Sequence, residues 1–191
     1  MADQTVDESH VAAEANEPSE DADSAYGGDE LASYATSLSY SVTDYKYEHG
    51  RRYHSFREGI YNFPNDEEEQ ERQDIMHEVF LTAMGGHFYL APLTEDLGRV
   101  LDIGTGTGIW AIQIGDTFPS AVVIGNDLSP IQPQWVPPNV KFEVDDVESE
   151  WPYSQPFDYI HSRYMAGSIA DWPRLMYQCY KLSLASLTSS F

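Results

Sequence analysis

Arg99-Val100-Leu101-Asp102-Ile103-Gly104-Thr105-Gly106-Thr107-Gly108-Ile109-Trp110 is the stretch on which the fold turns. Val100, Leu101 and Ile103 read as a short buried strand, the glycines as a turn, and residues 109–118 as a helix ending near Pro119. A second strand follows at 121–125, closed by Asn126-Asp127. Residues 141–144 and 157–160 read as third and fourth strands. A last helix over 172–184 is begun by Asp171 as N-cap, with Pro173 in its first turn. Strands alternating with helices imply βαβ units and a mainly parallel sheet, so the expected class is α/β, doubly wound.

A glycine turn between strand and helix does a definite job. Glycine tolerates positive φ and has no Cβ, so a ligand can lie on the backbone while the helix N-terminus offers free amides. The alternative is an ordinary tight turn. The spacing is Gly104, Gly106, Gly108 and then Ile109, whereas the dinucleotide fingerprint G-x-G-x-x-G requires glycine at 109. Asp127 falls 19 residues beyond Gly108, where a doubly wound sheet places the acid that accepts from two ribose hydroxyls. Asp145-Asp146 follows the third strand, where a carboxylate can accept from an adenine amino group; solvated loop acids are the plainer reading of both places. Asp102 sits among apolar strand residues and needs a partner. It is expected to fix the glycine turn or to balance a positive ligand.

Composition narrows the function classes. The 191 residues hold 32 acids against 10 Lys and Arg, a formal net charge of −22. Such a chain is repelled at long range by nucleic acid and anionic lipid, so no direct nucleic-acid binding is expected, and a small or cationic ligand suits it better. The single cysteine, Cys179, forms no internal disulfide, and the N-terminus has neither the charge nor the apolar run of a secretory signal. No run of eighteen apolar residues occurs, so no membrane span is expected, and the expected location is intracellular, cytoplasmic or nuclear. One Cys with scattered His gives no zinc spacing, and no G-x-S-x-G elbow marks a serine hydrolase.

Three segments are expected. Residues 1–38 carry ten acids and no Lys or Arg, and form a disordered acidic leader. Residues 39–95 form an N-terminal cap segment. In it Tyr40, Tyr45, Tyr47, Tyr53, Phe56 and Tyr61 interleave with basic residues, and either stack on bases or pack on the next domain. Its helix, about 66–84, is capped by Asn65 with Glu68 reaching back. It lays Ile75, Met76, Val79, Phe80, Ala83 and Met84 on the following domain and stops at Gly85-Gly86. Residues 96–191 form the cofactor-binding domain.

The stretch 100–110 resembles motif I of the Rossmann-like S-adenosylmethionine-dependent methyltransferases, and Asp127-Leu128-Ser129 is similar to their ribose-binding acid. Three further blocks resemble the fungal LaeA-like secondary-metabolism regulators: Tyr47-Glu48-His49-Gly50-Arg51-Arg52-Tyr53-His54, Pro64-Asn65-Asp66-Glu67-Glu68-Glu69-Gln70 and Gly167-Ser168-Ile169-Ala170-Asp171-Trp172-Pro173. The resemblance covers about residues 40 to 182. It implies S-adenosyl-L-methionine as cofactor, with Gly104, Gly106 and Gly108 along the methionine part, Asp127 at the ribose and Asp146 with Val147 at the adenine; Asp102, Thr105 and Leu128 complete the expected cofactor-binding set. In the family, three more strands follow the last helix. Here the sequence runs from Lys181 to Phe191 without them, so the expectation is a truncated sheet of about four strands, with a bare edge on the fourth and marginal stability.

Methyl transfer from a sulfonium needs positioning more than a catalytic group. If the acceptor carries a proton, His161, just after the fourth strand, is the candidate base, and Arg163 and Tyr164 are candidates to shape the acceptor pocket. The acceptor itself is not legible. Two other readings stay open: a non-catalytic interaction protein with regulatory protein partners, and an NAD-dependent oxidoreductase on the same sheet.

Overall fold

The computed structural model describes residues 45–57, 59 and 61–183. The expected acidic leader over 1–38 lies outside the described residues, as does the tail over 184–191. In chain order the elements are β1 (Lys46–Glu48), β2 (Arg51–Tyr53), α1 (Glu67–Ala83), β3 (Arg99–Ile103), α2 (Ile109–Thr117), β4 (Val122–Asp127), β5 (Val140–Val144), β6 (Tyr159–Ser162) and α3 (Trp172–Leu182).

β3 to β6 form a four-stranded sheet in the order β5-β4-β3-β6, every pair parallel. Strand side chains alternate, so each strand feeds both faces. Val100 and Val123 join Trp110, Ala111, Ile114 and Phe118 of α2 and its end in one core. Leu101, Ile103 and Ile124 join Trp151, Phe157 and Leu175 in a second core beneath α3. Apolar layers on both faces are what a parallel sheet requires, and the expected α/β doubly wound class is the observed one.

Several local expectations are corrected. The N-cap of α1 is Asp66, which accepts from the amide of Glu69 at 3.1 Å; Asn65 is instead buried, giving its Nδ2 to Ser129 Oγ at 3.2 Å. Asp66 wins the cap because Arg51 holds its carboxylate in a bidentate pair at 2.6 and 2.9 Å. The apolar stripe of α1 does not face the sheet throughout: Ile75 and Val79 are exposed, while Glu69 and His77 are buried. The helix covers a cavity of mixed lining, so polar side chains such as Gln73 and His77 point inward beside Met76 and Phe80.

β6 begins at Tyr159 rather than at 157, so His161 lies within the strand, opposite Asp102. Phe157 is fully buried ahead of it and donates its amide to Leu182 O at 2.7 Å. A single parallel bridge between Phe157 and Ser183 holds the chain after α3 beside the residue ahead of β6, while among the described residues β6 itself pairs only with β3. The β1–β2 hairpin was not anticipated at all. His49 and Gly50, at φ 50° and 80°, make its two-residue turn between Glu48 and Arg51. Among the described residues, no helix is long and apolar enough to cross a membrane.

Candidate functional site

The 104–108 turn joins β3 to α2 with all three glycines at positive φ: 65°, 58° and 82°. A side chain at any of them would also meet a neighbour, a flexible chain end at Gly104 and Gly106 and an aromatic ring at Gly108. A Cβ on Gly104 would run into Met165, one on Gly106 would lie 2.5 Å from Gln73 Oε1, and one on Gly108 would enter the Phe142 ring. Gly108 is the N-cap of α2 and supplies no side-chain acceptor, so the helix presents its first amides uncapped.

The turn is tied to the second strand by the residue singled out at its end. Gly106 N donates to Asp127 Oδ2 at 2.9 Å, and Ser129 N donates to Asp127 Oδ1 at 3.0 Å. Thr105 N donates to Asn126 O at 2.9 Å, and Gln132 Nε2 to Gly106 O at 2.7 Å. A carboxylate has about four acceptor positions. Asp127 therefore keeps one on each oxygen, the arrangement a vicinal diol needs. Burial pushes this carboxyl above its usual range, against the two amides that hold it ionised.

Asp102 has the partners its burial demands. Its Oδ2 accepts from Thr105 Oγ1 at 2.6 Å, fixing the turn as expected, and its Oδ1 lies 2.7 Å from His161 Nδ1. The His161 ring stacks on Trp110, centroids 3.7 Å apart and planes within 7°. Asp102, His161, Asp127, Gly104 and Gly106 all line one cavity beneath α1, whereas Gly108 does not line it and lies against the Phe142 ring.

At the other end of that cavity lie Asp145, Asp146 and Val147. Asp146 Oδ2 pairs with Arg57 Nη1 at 2.6 Å and accepts from Ser149 Oγ at 3.2 Å; its Oδ1 accepts from the amide of Glu148 at 2.9 Å. One acceptor position remains, on Oδ1. Asp145 is pushed up to about 6 by burial, with Asp146 and Glu143 adding to the rise.

α1 closes the cavity from above. Thr107 Oγ1 donates to Asp74 Oδ1 at 2.7 Å, and His77 lies 3.0 Å from Gln113 of α2. Tyr61, Gln73, His77 and Phe80 contribute to the lining, none of which the sequence reading placed here. The signal that would have found them is the row Glu69, Gln73, His77: polar residues four apart, a period that reads as a solvated face unless the helix covers a polar hollow. Leu128 also lines the cavity, and so do Arg163 and Tyr164 beyond β6.

A family model described as a methyltransferase domain matches residues 48–183. The chain belongs to the methyltransferase-domain family. Among its relatives, methyltransferase pytC of Aspergillus terreus is 57% identical over 149 residues, covering 78% of this chain and 46% of the relative. The secondary metabolism regulator laeA of Aspergillus fumigatus is 45% identical over 137 residues, covering 70% of this chain and 36% of the relative. This methyltransferase-domain chain therefore spans less than half the length of either. A solved chain from the complex of the Haloferax volcanii Trm112 methyltransferase activator with a methyltransferase superposes with a TM-score of 0.52 at 19% identity. The match covers 62% of this chain and 53% of that one, a likeness of fold. The family match leaves the oxidoreductase reading without support. Ile109 gives the physical reason, because it opens α2 where the dinucleotide fingerprint needs its third glycine.

Proposed function

We propose that this chain binds S-adenosyl-L-methionine in the cavity beneath α1 and serves methyl transfer to an acceptor. The single observation that carries the reading is the hydrogen bond from Gly106 N to Asp127 Oδ2, which joins the glycine turn and the carboxylate into one cradle. The residues present fit the cofactor: Gly104 and Gly106 in the cavity wall, a carboxylate with one position left on each oxygen, and an acidic lining for a cation. Bound there, the cofactor supplies an electrophilic methyl group on a sulfonium.

In this reading Asp102, Gly104, Thr105 and Gly106 flank the amino-acid part, and Gly108, packed on Phe142, supports the turn from outside the cavity. Asp127 and Leu128 hold the ribose, and Asp146 and Val147 meet the adenine, with Asp146 Oδ1 accepting from its amino group. Residues 39–95 act as the segment that closes over the domain at 96–191 and excludes water, which strengthens each polar contact inside. His161 is the base. Asp102 holds its Nδ1–H at 2.7 Å, and Nε2, without a hydrogen-bond partner among the described residues, would take the proton that a hydroxyl or amine acceptor releases on gaining the methyl group, the electron pair of the broken carbon–sulfur bond staying on sulfur. Asp102 stabilises the imidazolium that results. The proton then passes to solvent.

A regulatory role through protein partners is the second reading, supported by the relative named a secondary metabolism regulator. Calorimetric titration with S-adenosylmethionine and separately with NADH tests the first. Saturable one-to-one binding of the former alone is expected, and binding of NADH alone would overturn it.

A further inference from the structure

α3 carries Arg174 and Lys181 and no acid, in a chain whose formal net charge is −22. Arg51, Arg52, Arg57 and Arg72 each hold a carboxylate, whereas Arg174 and Lys181 make no ion pair among the described residues. Positions 174, 177, 178 and 181 follow the helical period, so their side chains share a face. The segment 150–153 runs against that face, and the two enclose a groove separate from the cavity beneath α1. Its walls are aromatic: Trp151 and Tyr153 are buried with ring centroids 6.0 Å apart, while Tyr177 is 64% exposed. Glu150 is the single acid in the lining.

The groove has a fixed frame. Gln178 Oε1 accepts from the amide of Trp151 at 3.0 Å, and its Nε2 donates to Val147 O at 3.1 Å; Trp151 Nε1 donates to the same carbonyl at 2.9 Å. Tyr153 is fastened from behind, its hydroxyl donating to Glu143 Oε2 at 3.1 Å. The polar groups of the walls are thus satisfied within the fold. What remains unmet is the charge on Arg174 and Lys181 and the apolar surface of Tyr177. At about 1.5 Å of rise per residue, the two cations stand about 10 Å apart along the helix. A peptide that fits carries carboxylates at that separation, with aromatic or aliphatic side chains beside them.

We infer that this groove docks residues 20–34 of the chain's own acidic N-terminal segment, which lies outside the described residues. Glu20, Asp21, Asp23, Asp29 and Glu30 fall within that stretch without a Lys or Arg, and Tyr26, Leu31 and Tyr34 supply the apolar side chains. An extended peptide covers about 10 Å in three residues, the separation of Glu20 from Asp23. The tether is long enough, since residues 34 to 45 span up to about 35 Å, comparable to the width of the folded domain. Arg57, in the described part of the same segment, already reaches Ser149 Oγ at 2.6 Å, two positions before Trp151. Tethering also supplies a local concentration on the order of millimolar, so a contact too weak to hold a free peptide still forms. A separate acidic protein would have to displace it. The docking holds whatever the cavity beneath α1 binds.

Zero-length carbodiimide cross-linking of the full chain at low ionic strength, read by peptide mass spectrometry on the monomer and dimer fractions separately, tests it. The chain has three lysines, Lys46, Lys141 and Lys181, and the exposed Lys141 serves as reference. In the monomer fraction, links from Lys181 to carboxylates of 20–34 are expected to exceed those from Lys141 by about fivefold or more, the ratio given by one favourable exposed ion pair together with an aromatic contact. Arg174→Glu combined with Tyr177→Ser changes two exposed side chains and leaves Lys181 to report; there the ratio is expected to fall to near one. The wild-type ratio decides even if that variant is unstable. Equal linking from Lys141 and Lys181 in wild type, no link from Lys181 to 20–34, or an undiminished ratio in the variant would overturn the docking. Links from Lys181 confined to the dimer fraction would overturn it too, and would assign the groove to a second copy.

Discussion

Gly106 and Asp127, on consecutive parallel strands' carboxyl ends, are joined by a 2.9 Å hydrogen bond from backbone amide to Oδ2. The turn that a ligand must lie on and the acid that must hold its sugar are therefore one rigid unit. Asp127→Ala removes both the sugar acceptor and the anchor of the turn. At roughly 1.5 to 3 kcal/mol per charged hydrogen bond, affinity for S-adenosylhomocysteine is expected to fall by at least about tenfold. Calorimetry on the folded variant checks it, and an unchanged dissociation constant would count against Asp127 as the ribose acceptor.

The third glycine of the turn is a packing requirement, set outside the cavity lining. Gly108 stands at φ 82°, and an added Cβ would penetrate Phe142 on β5. Gly108→Ala is expected to lower stability by about 2 to 4 kcal/mol, from left-handed strain together with overpacking. Urea unfolding should show a lower midpoint with an unchanged slope. For Gly106→Ala the obstacle is the far end of Gln73, which can swing away, so its loss is expected mainly in cofactor affinity.

Acid pH acts on the fold with a sign that burial sets. Asp145, with its carboxyl pushed up to about 6, holds its proton more tightly in the folded than in the unfolded state. Its contribution is fully present below the ordinary carboxyl range near about 4 and is lost as pH rises through about 6. Asp66 runs the other way. Arg51 holds its carboxyl well below the usual range, so its contribution is present above that range and lost only in strong acid. Asp145→Asn should therefore match wild type near about pH 4 and be more stable near about pH 7, measured by urea midpoints across that window. A gain that is larger at the acid end would contradict the assignment.

Two histidines of the site should carry their protons on opposite nitrogens. Asp102 requires a donor at His161 Nδ1, and Arg163 requires an acceptor at His77 Nδ1. Two-bond proton–nitrogen spectra above the imidazole titration range are expected to show the Nδ1–H tautomer for His161 and the Nε2–H tautomer for His77. The Nε2–H tautomer at His161 would remove it as the proposed base.

The strand, turn and helix around Gly104 were legible in the sequence because each is specified locally: an apolar run, glycines at alternate positions, then a helical period. Asp127 was legible because the length of one βα unit fixes where the next strand ends. The face of α1 was not. Met76 and Phe80 obey the apolar period, but Gln73 and His77 turn inward only because they meet Gly106 and Gln113, over thirty residues away. Arg57 illustrates the same limit, reaching Asp146 and Ser149 across about ninety positions that no local pattern connects. The hairpin is signalled locally by His49-Gly50 alone, a two-residue turn of the kind that glycine at its second position favours.

Backbone amide shifts followed during titration with S-adenosylhomocysteine test the cradle itself. Saturable changes are expected at Gly104, Gly106, Asp127, Leu128 and Val147, with Gly98 and Leu175, away from the cavity, unmoved. Saturating ligand that leaves the 104–108 amides and Asp127 where they were would contradict the account.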